Sequence, residues 1–193
     1  MRIERNHEIV REARTVDDSL EEMTRAVIRS APVCAHDCTR AGTCPCTRDC
    51  PHIPETLSSD PQNFPIEKGV APLAFEIKKL GVFTPCWSCE GHNDAEGVMR
   101  NAPAVWFYAH SVTHVRILGD AIADMLYDKR LSSPWQVRLT FSDPDNLSAA
   151  FSLEPVPGAS DLSALQLDLT HIAEDIDWRV SSRIAVLKRA IAP

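Results

Sequence analysis

The sequence predicts an α+β fold: a four-stranded, mainly antiparallel sheet with packed helices and a cysteine-rich metal-binding loop or cap. Three observations carry this reading. Four segments repeat apolar residues at helical spacing, four shorter ones are apolar or alternate with a period of two, and one long segment keeps neither period while holding most of the cysteines.

The helical segments come first. In residues 16–30, Leu20, Met23, Val27 and Ile28 share a face, and Asp17, Asp18, Glu21 and Glu22 stand in the first turns, where the helix dipole favours anions. Pro32 ends that helix. Val70, Leu73, Ala74, Ile77 and Leu80 make a second stripe, closed by Gly81 at the position after the C-cap. Ser111 is placed to cap a third helix with the stripe Val112, Val115, Leu118, Ile122 and Met125. The last helix keeps Leu169, Ile172, Ile176, Val180, Ile184 and Leu187 on one face, with Trp178 off it.

The strands fall between. A short one starts at Val82–Thr84 and runs into Cys86-Trp-Ser-Cys89-Glu-Gly-His92, read as a tight turn. Ala104–Ala109 is apolar on both faces, which predicts a central strand. Trp135, Val137, Leu139 and Phe141 alternate, predicting one buried face. Asp143-Pro-Asp145-Asn146 reads as the turn into a fourth strand at Ala149–Leu153, since no spaced ligand loop or distal glutamate supports a calcium site there.

The chain therefore divides into an N-terminal helix (1–32), a cysteine-rich loop packed on the core (33–66) and an α+β core (67–193), forming one cooperative domain. Its 193 residues suit that size, and a chain this long buries a core without disulfides. A net charge of −7 argues against general nucleic-acid binding, which needs cations to displace phosphate counterions. No stretch approaches the ~20 apolar residues of a membrane span. The first residues lack the apolar core of a signal peptide, so the expected compartment is the cytoplasm, where thiols stay reduced.

Seven cysteines in that compartment need another explanation. Residues 33–65 hold five of them, Cys34, Cys38, Cys44, Cys46 and Cys50, with five prolines and few large apolar residues. Such a loop needs something other than a core to order it, and metal is the chemistry that serves. Cys86-x-x-Cys89 adds two thiols. Four-coordinate zinc takes four ligands, so Cys34, Cys38, Cys44, Cys46, Cys50, Cys86 and Cys89 with His52, or His36 in its place, supply enough for two sites. One site with spare thiols is equally allowed. An iron–sulfur cluster competes, because Cys46-x3-Cys50-Pro51 matches the end of a bacterial ferredoxin run, although the preceding part is missing. A dithiol redox role for Cys86 and Cys89 is the third metal or thiol reading. Against all of these stands cysteine as a small buried hydrophobe. That reading suits the loop poorly, since its cysteines sit among Arg, Asp and Thr. Arg40 and Arg48 supply cations that would lower thiolate pKa values and meet an anionic substrate.

After the second thiol of the pair come Glu90, Gly91 and His92. Glu90 and His92 are the candidate catalytic residues, as base and metal ligand beside an activated water, with a plain polar loop end as the alternative. His110 and His114 also look like a pair. A hairpin of the first two strands puts His110 beside Val82, away from Cys89 by a strand of ~23 Å, so both are assigned to structure. His171 is read as a surface residue. Trp178 suggests a homodimer through the C-terminal helix, and a small-molecule ligand fits an enzyme reading. The reaction itself is not legible.

The run Phe83-Thr84-Pro85-Cys86-Trp87-Ser88-Cys89-Glu90-Gly91-His92, preceded by a helix and followed by an apolar strand, a helix and an alternating strand, resembles the wybutosine-synthesis tRNA methyltransferase family. In that family a strand ends in a Ser-Cys-x-Gly turn, matched here by Ser88-Cys89-Glu90-Gly91. The resemblance spans Leu73 to Phe141 and its motif is four residues long. It implies an α/β core, a functional turn at Ser88–His92 and a nucleoside or small-molecule transferase with an adenosylmethionine-type cofactor. His92 stands where the family has a basic residue, and the cysteine-rich loop has no counterpart there. What carries over is the location of a site, not the methyl transfer.

Overall fold

The computed structural model describes residues 8–29, 32, 46–143 and 148–191. Cys34, His36, Cys38, Arg40, Cys44 and the turn residues Asp145 and Asn146 lie outside them. Among the described residues the helices are α1 (Glu8–Arg29), α2 (Ile53–Leu57), α3 (Ala71–Lys79), α4 (Val112–Tyr127) and α5 (Leu162–Ile191). The strands are β1 (Phe83–Cys89), β2 (His92–Asn93), β3 (Met99–Asn101), β4 (Ala104–Ala109), β5 (Trp135–Asp143) and β6 (Ser148–Pro155). β1, β4, β6 and β5 form one four-stranded sheet in that order, antiparallel throughout, and β2 and β3 make a separate small hairpin. The α+β class and the central place of Ala104–Ala109 are as the periodicity predicts.

One sheet face is the core. Phe83, Val105, Phe107 and Leu153 are buried on it; α3 packs on β1, α4 on β4 and β5, and α5 runs across α1, α3 and α4. The predicted stripes are the buried ones: Leu73, Ile77 and Leu80 of the α3 region, Leu118, Ile122 and Met125 of α4, and Ile172, Ile176 and Val180 of α5. Val112 is the exception, 73% exposed at the first position of α4, where the helix has not yet reached the core. Ser111 caps α4 as expected, its hydroxyl accepting the His114 amide. Gly81 takes the left-handed conformation that closes α3.

Three differences have physical causes. First, β1 continues through Cys89, so the two thiols lie on a strand and not on a tight turn. Pro85 has no N–H to give the ladder, and the register slips there, leaving Cys86 as the extra residue of a bulge. Second, the alternation of β5 breaks at a bulge between Leu139 and Phe141, and Leu139 is left exposed. Third, residues 46–57 have an apolar order of their own. Cys46, Ile53, Ala71 and Phe75 form a small buried cluster with Cys50 and Leu57 against it, and α2 forms with Pro54 in its first turn. Arg48 pairs with the buried Glu76 carboxylate and donates to the Ala173 carbonyl, so its charge serves packing of this segment on α3 and α5.

Both β4-end histidines are structural. The His110 amide donates to Val82 O, and its ring meets Glu22 of α1 at 2.7 Å. His114 is wholly buried, with Nε2 donating to Ser19 O of α1 at 2.9 Å. Burial lowers its pKa below the ordinary value, with the Ser19 carbonyl and Glu22 pulling the other way. The unfolded chain therefore takes up a proton near pH 6.5 that the folded chain refuses. Stability is expected to be full above that pH and to fall as the solution is acidified from pH ~7.5 to ~5.5. Urea midpoints across that range check this, and His114→Gln should flatten the slope. An unchanged slope in the variant refutes the assignment.

Candidate metal centre

The site is made where the segment before α3 meets the end of β1. Glu67 enters α3 through its carbonyl, which accepts the amides of Val70 and Ala71. Its side chain reaches across to the other strand end. Oε2 accepts the Glu90 amide at 2.7 Å, and Oε1 accepts from His92 Nε2 at 2.7 Å. Glu90 returns the contact, its Oε2 accepting the Gly69 amide at 2.7 Å. Two carboxylates thus exchange backbone amides and hold the two segments in register. Gly69 leaves room for this, since a Cβ there would sit 2.7 Å from Glu90 Oε2.

Residues 89–92 are pinned from the far side as well. Gln166 of α5 donates to the Glu90 carbonyl at 3.2 Å and the Gly91 carbonyl at 3.5 Å. Gly91 has φ +87°, and a Cβ would meet Leu162 Cδ1 at 2.6 Å and Pro103 Cδ at 2.9 Å. The sharp bend this glycine allows brings the Cys89 thiol and the His92 ring to the same side as Glu67.

The outcome is a converging donor group. One ligand atom each from Glu67, Cys89 and His92 lie within 4.8 Å of one another, so the three can hold a metal ion. Cys89 is buried, while the His92 and Glu67 side chains are 45% and 37% exposed, so the group opens to solvent on one side. The Cys89 thiol is held toward its protonated form. Burial pushes its pKa up, the nearby Glu67 and Glu90 carboxylates add to this, and the Gly91 amide on Sγ at 3.4 Å opposes it. An incoming cation would displace the thiol proton. Because Oε2 of Glu67 is held by the Glu90 amide, the carboxylate has one oxygen to offer.

The other expected site residues are distributed differently. Glu90 spends its carboxylate on Gly69. Cys86 is exposed at the bulge, with its pKa raised by partial burial, and lies outside the converging group. Cys46 is buried in the apolar cluster, Cys50 is half-buried with its carbonyl accepting the Ile53 amide, and His52 is the N-cap of α2. Glu67 is the member of this group that sequence reasoning missed. It stands 22 and 25 residues before Cys89 and His92, next to a helix start where an acidic residue is ordinary, and no spacing rule links them.

Among the described residues no helix is long and apolar enough to cross a membrane. No protein-family model, curated protein or solved structure matches the chain, so the reading of this centre rests on its geometry and donor chemistry.

Proposed function

We propose that the chain is a zinc-binding protein whose ion is held by Glu67, Cys89 and His92, fastening the segment that follows the cysteine-rich loop to the end of β1. The observation that supports this is the convergence of three unlike donors within 4.8 Å from two distant stretches of sequence. One thiolate, one imidazole and one carboxylate oxygen suit zinc, a borderline ion that takes nitrogen, sulfur and oxygen ligands. A four-thiolate iron–sulfur cluster is supported less well: among the described residues Cys46, Cys50 and Cys86 do not join Cys89 in such a group.

Three protein ligands leave a fourth position, and the exposed sides of His92 and Glu67 put it toward solvent. A water there would have its pKa lowered to about 7, which makes hydrolytic chemistry the natural reaction class. In this reading His92 is a ligand, and Glu90 is a positioning residue that sets Glu67 and Gly69.

Elemental mass spectrometry of the purified full chain tests the proposal. About one zinc per chain is expected at this centre, lost in Cys89→Ser and in His92→Ala. Cobalt substitution should give a thiolate-to-metal charge-transfer band that Cys89→Ser abolishes. Neither zinc nor iron in the protein, or undiminished zinc in both variants, overturns it. A brown preparation containing iron would favour the cluster instead.

A further inference from the structure

Strand alternation sets the metal centre at the rim of an aromatic platform. Ser88 pairs with the buried core residue Val105, so its neighbours Trp87 and Cys89 point to the opposite face of the sheet. Trp106 is the cross-strand partner of Trp87 and Ala104 that of Cys89. The two indoles lie 5.1 Å apart at 53°, and Tyr108 follows on the same face of β4. Trp87 is 48% exposed and Tyr108 42%. Of the four tryptophans and two tyrosines in the chain, half stand on this one face. Trp87 is two residues from Cys89, about 7 Å along the strand, which is the width of one ring.

The charge on this face narrows the occupant. Arg138 is consumed by Glu154, with Nε to Oε1 at 2.7 Å, and the chain as a whole is acidic. A flat ring is what indole faces take, and a single anionic oxygen is what an open zinc position takes.

We infer that the centre binds a small aromatic carboxylate, its ring stacked on Trp87 beside Trp106 and its carboxylate oxygen in the open coordination position. This rests on the metal reading above and adds the ligand class to it. The ring contributes area and stacking at Trp87, and the metal contributes the anion site, so neither half binds well alone.

The test uses the cobalt-loaded full chain and follows the visible cobalt spectrum during titration with 1-naphthoate and with cyclohexanecarboxylate. Naphthoate should act at about tenfold lower concentration than the saturated acid. Trp87→Ala and Trp87→Leu should each remove that advantage while cobalt content stays at the wild-type level, because Trp87 is exposed and its loss leaves the core intact. Metal-free protein should bind naphthoate at least tenfold more weakly, read by equilibrium dialysis. Equal action of the two acids, or an unchanged preference in both Trp87 variants, overturns this inference alone. Absence of a cobalt spectrum before any acid is added overturns the metal reading, and this inference with it.

Discussion

Asp168→Ala is expected to cost about 2–4 kcal/mol, a large part of the 5–15 kcal/mol that holds a typical domain together. Asp168 lies on α5 and is 1% exposed. Its carboxylate accepts four bonds from the loop that leads into β5: the Ser132 amide at 2.8 Å, the Ser132 hydroxyl at 3.0 Å, the Ser133 amide at 3.2 Å and the Trp135 indole N–H at 3.0 Å. Alanine would leave the buried Trp135 N–H beside a cavity at its full desolvation cost, while the donors of exposed Ser132 and half-buried Ser133 can turn to water. Asp168→Asn keeps one acceptor oxygen but turns an N–H₂ group toward donors, so its cost should be intermediate. Urea denaturation measures both. In a Trp135→Phe background one donor is already gone, and the Asp168→Ala cost should shrink. A loss below about 1 kcal/mol in the wild-type background would show that the network is not what fixes this corner.

Gly91→Ala should strike fold and metal centre together. The alanine would have to hold φ +87°, which costs an L-residue roughly 1–2 kcal/mol, and its Cβ would press on Pro103 and Leu162. Leu162 can swing its methyl away, but the Pro103 ring is tied to the backbone before β4. A total of about 2–4 kcal/mol is expected. Since Gly91 sits between Cys89 and His92, any relief by backbone movement separates the two donors. Cobalt affinity should fall by at least about tenfold, a change of 1.4 kcal/mol, even where the variant stays folded. Stability lost with full metal affinity retained would mean that the bend is needed for packing and not for the centre.

Some features were legible because they obey a local period. The stripes of α3, α4 and α5 state their burial in the order of residues, the apolar run of β4 states its central place in the sheet, and Ser111 and Gly81 mark helix ends by the chemistry of caps. The small β2–β3 hairpin was not legible. It is two and three residues long, and its turn is set by Asp94 Oδ1 accepting the Glu96 and Val98 amides. The cysteine-rich segment misled in part, since composition alone does not reveal that Phe75 of α3 offers Cys46 and Ile53 an apolar surface.

For the centre, the sequence supplied Cys89 and His92, because the two donors stand three residues apart around a glycine. It could not supply Glu67. That carboxylate becomes a neighbour of His92 only when α3 packs on β1 and the segment before it is drawn along β1's end. Nor could it separate Cys86 from Cys89, which a bulge at a proline sends to different surroundings. Periodicity determines which face of an element is buried, since that is settled within a few turns of chain. Which donors meet is decided by packing, because a metal ion answers to distances of a few ångströms across elements that sequence order leaves far apart.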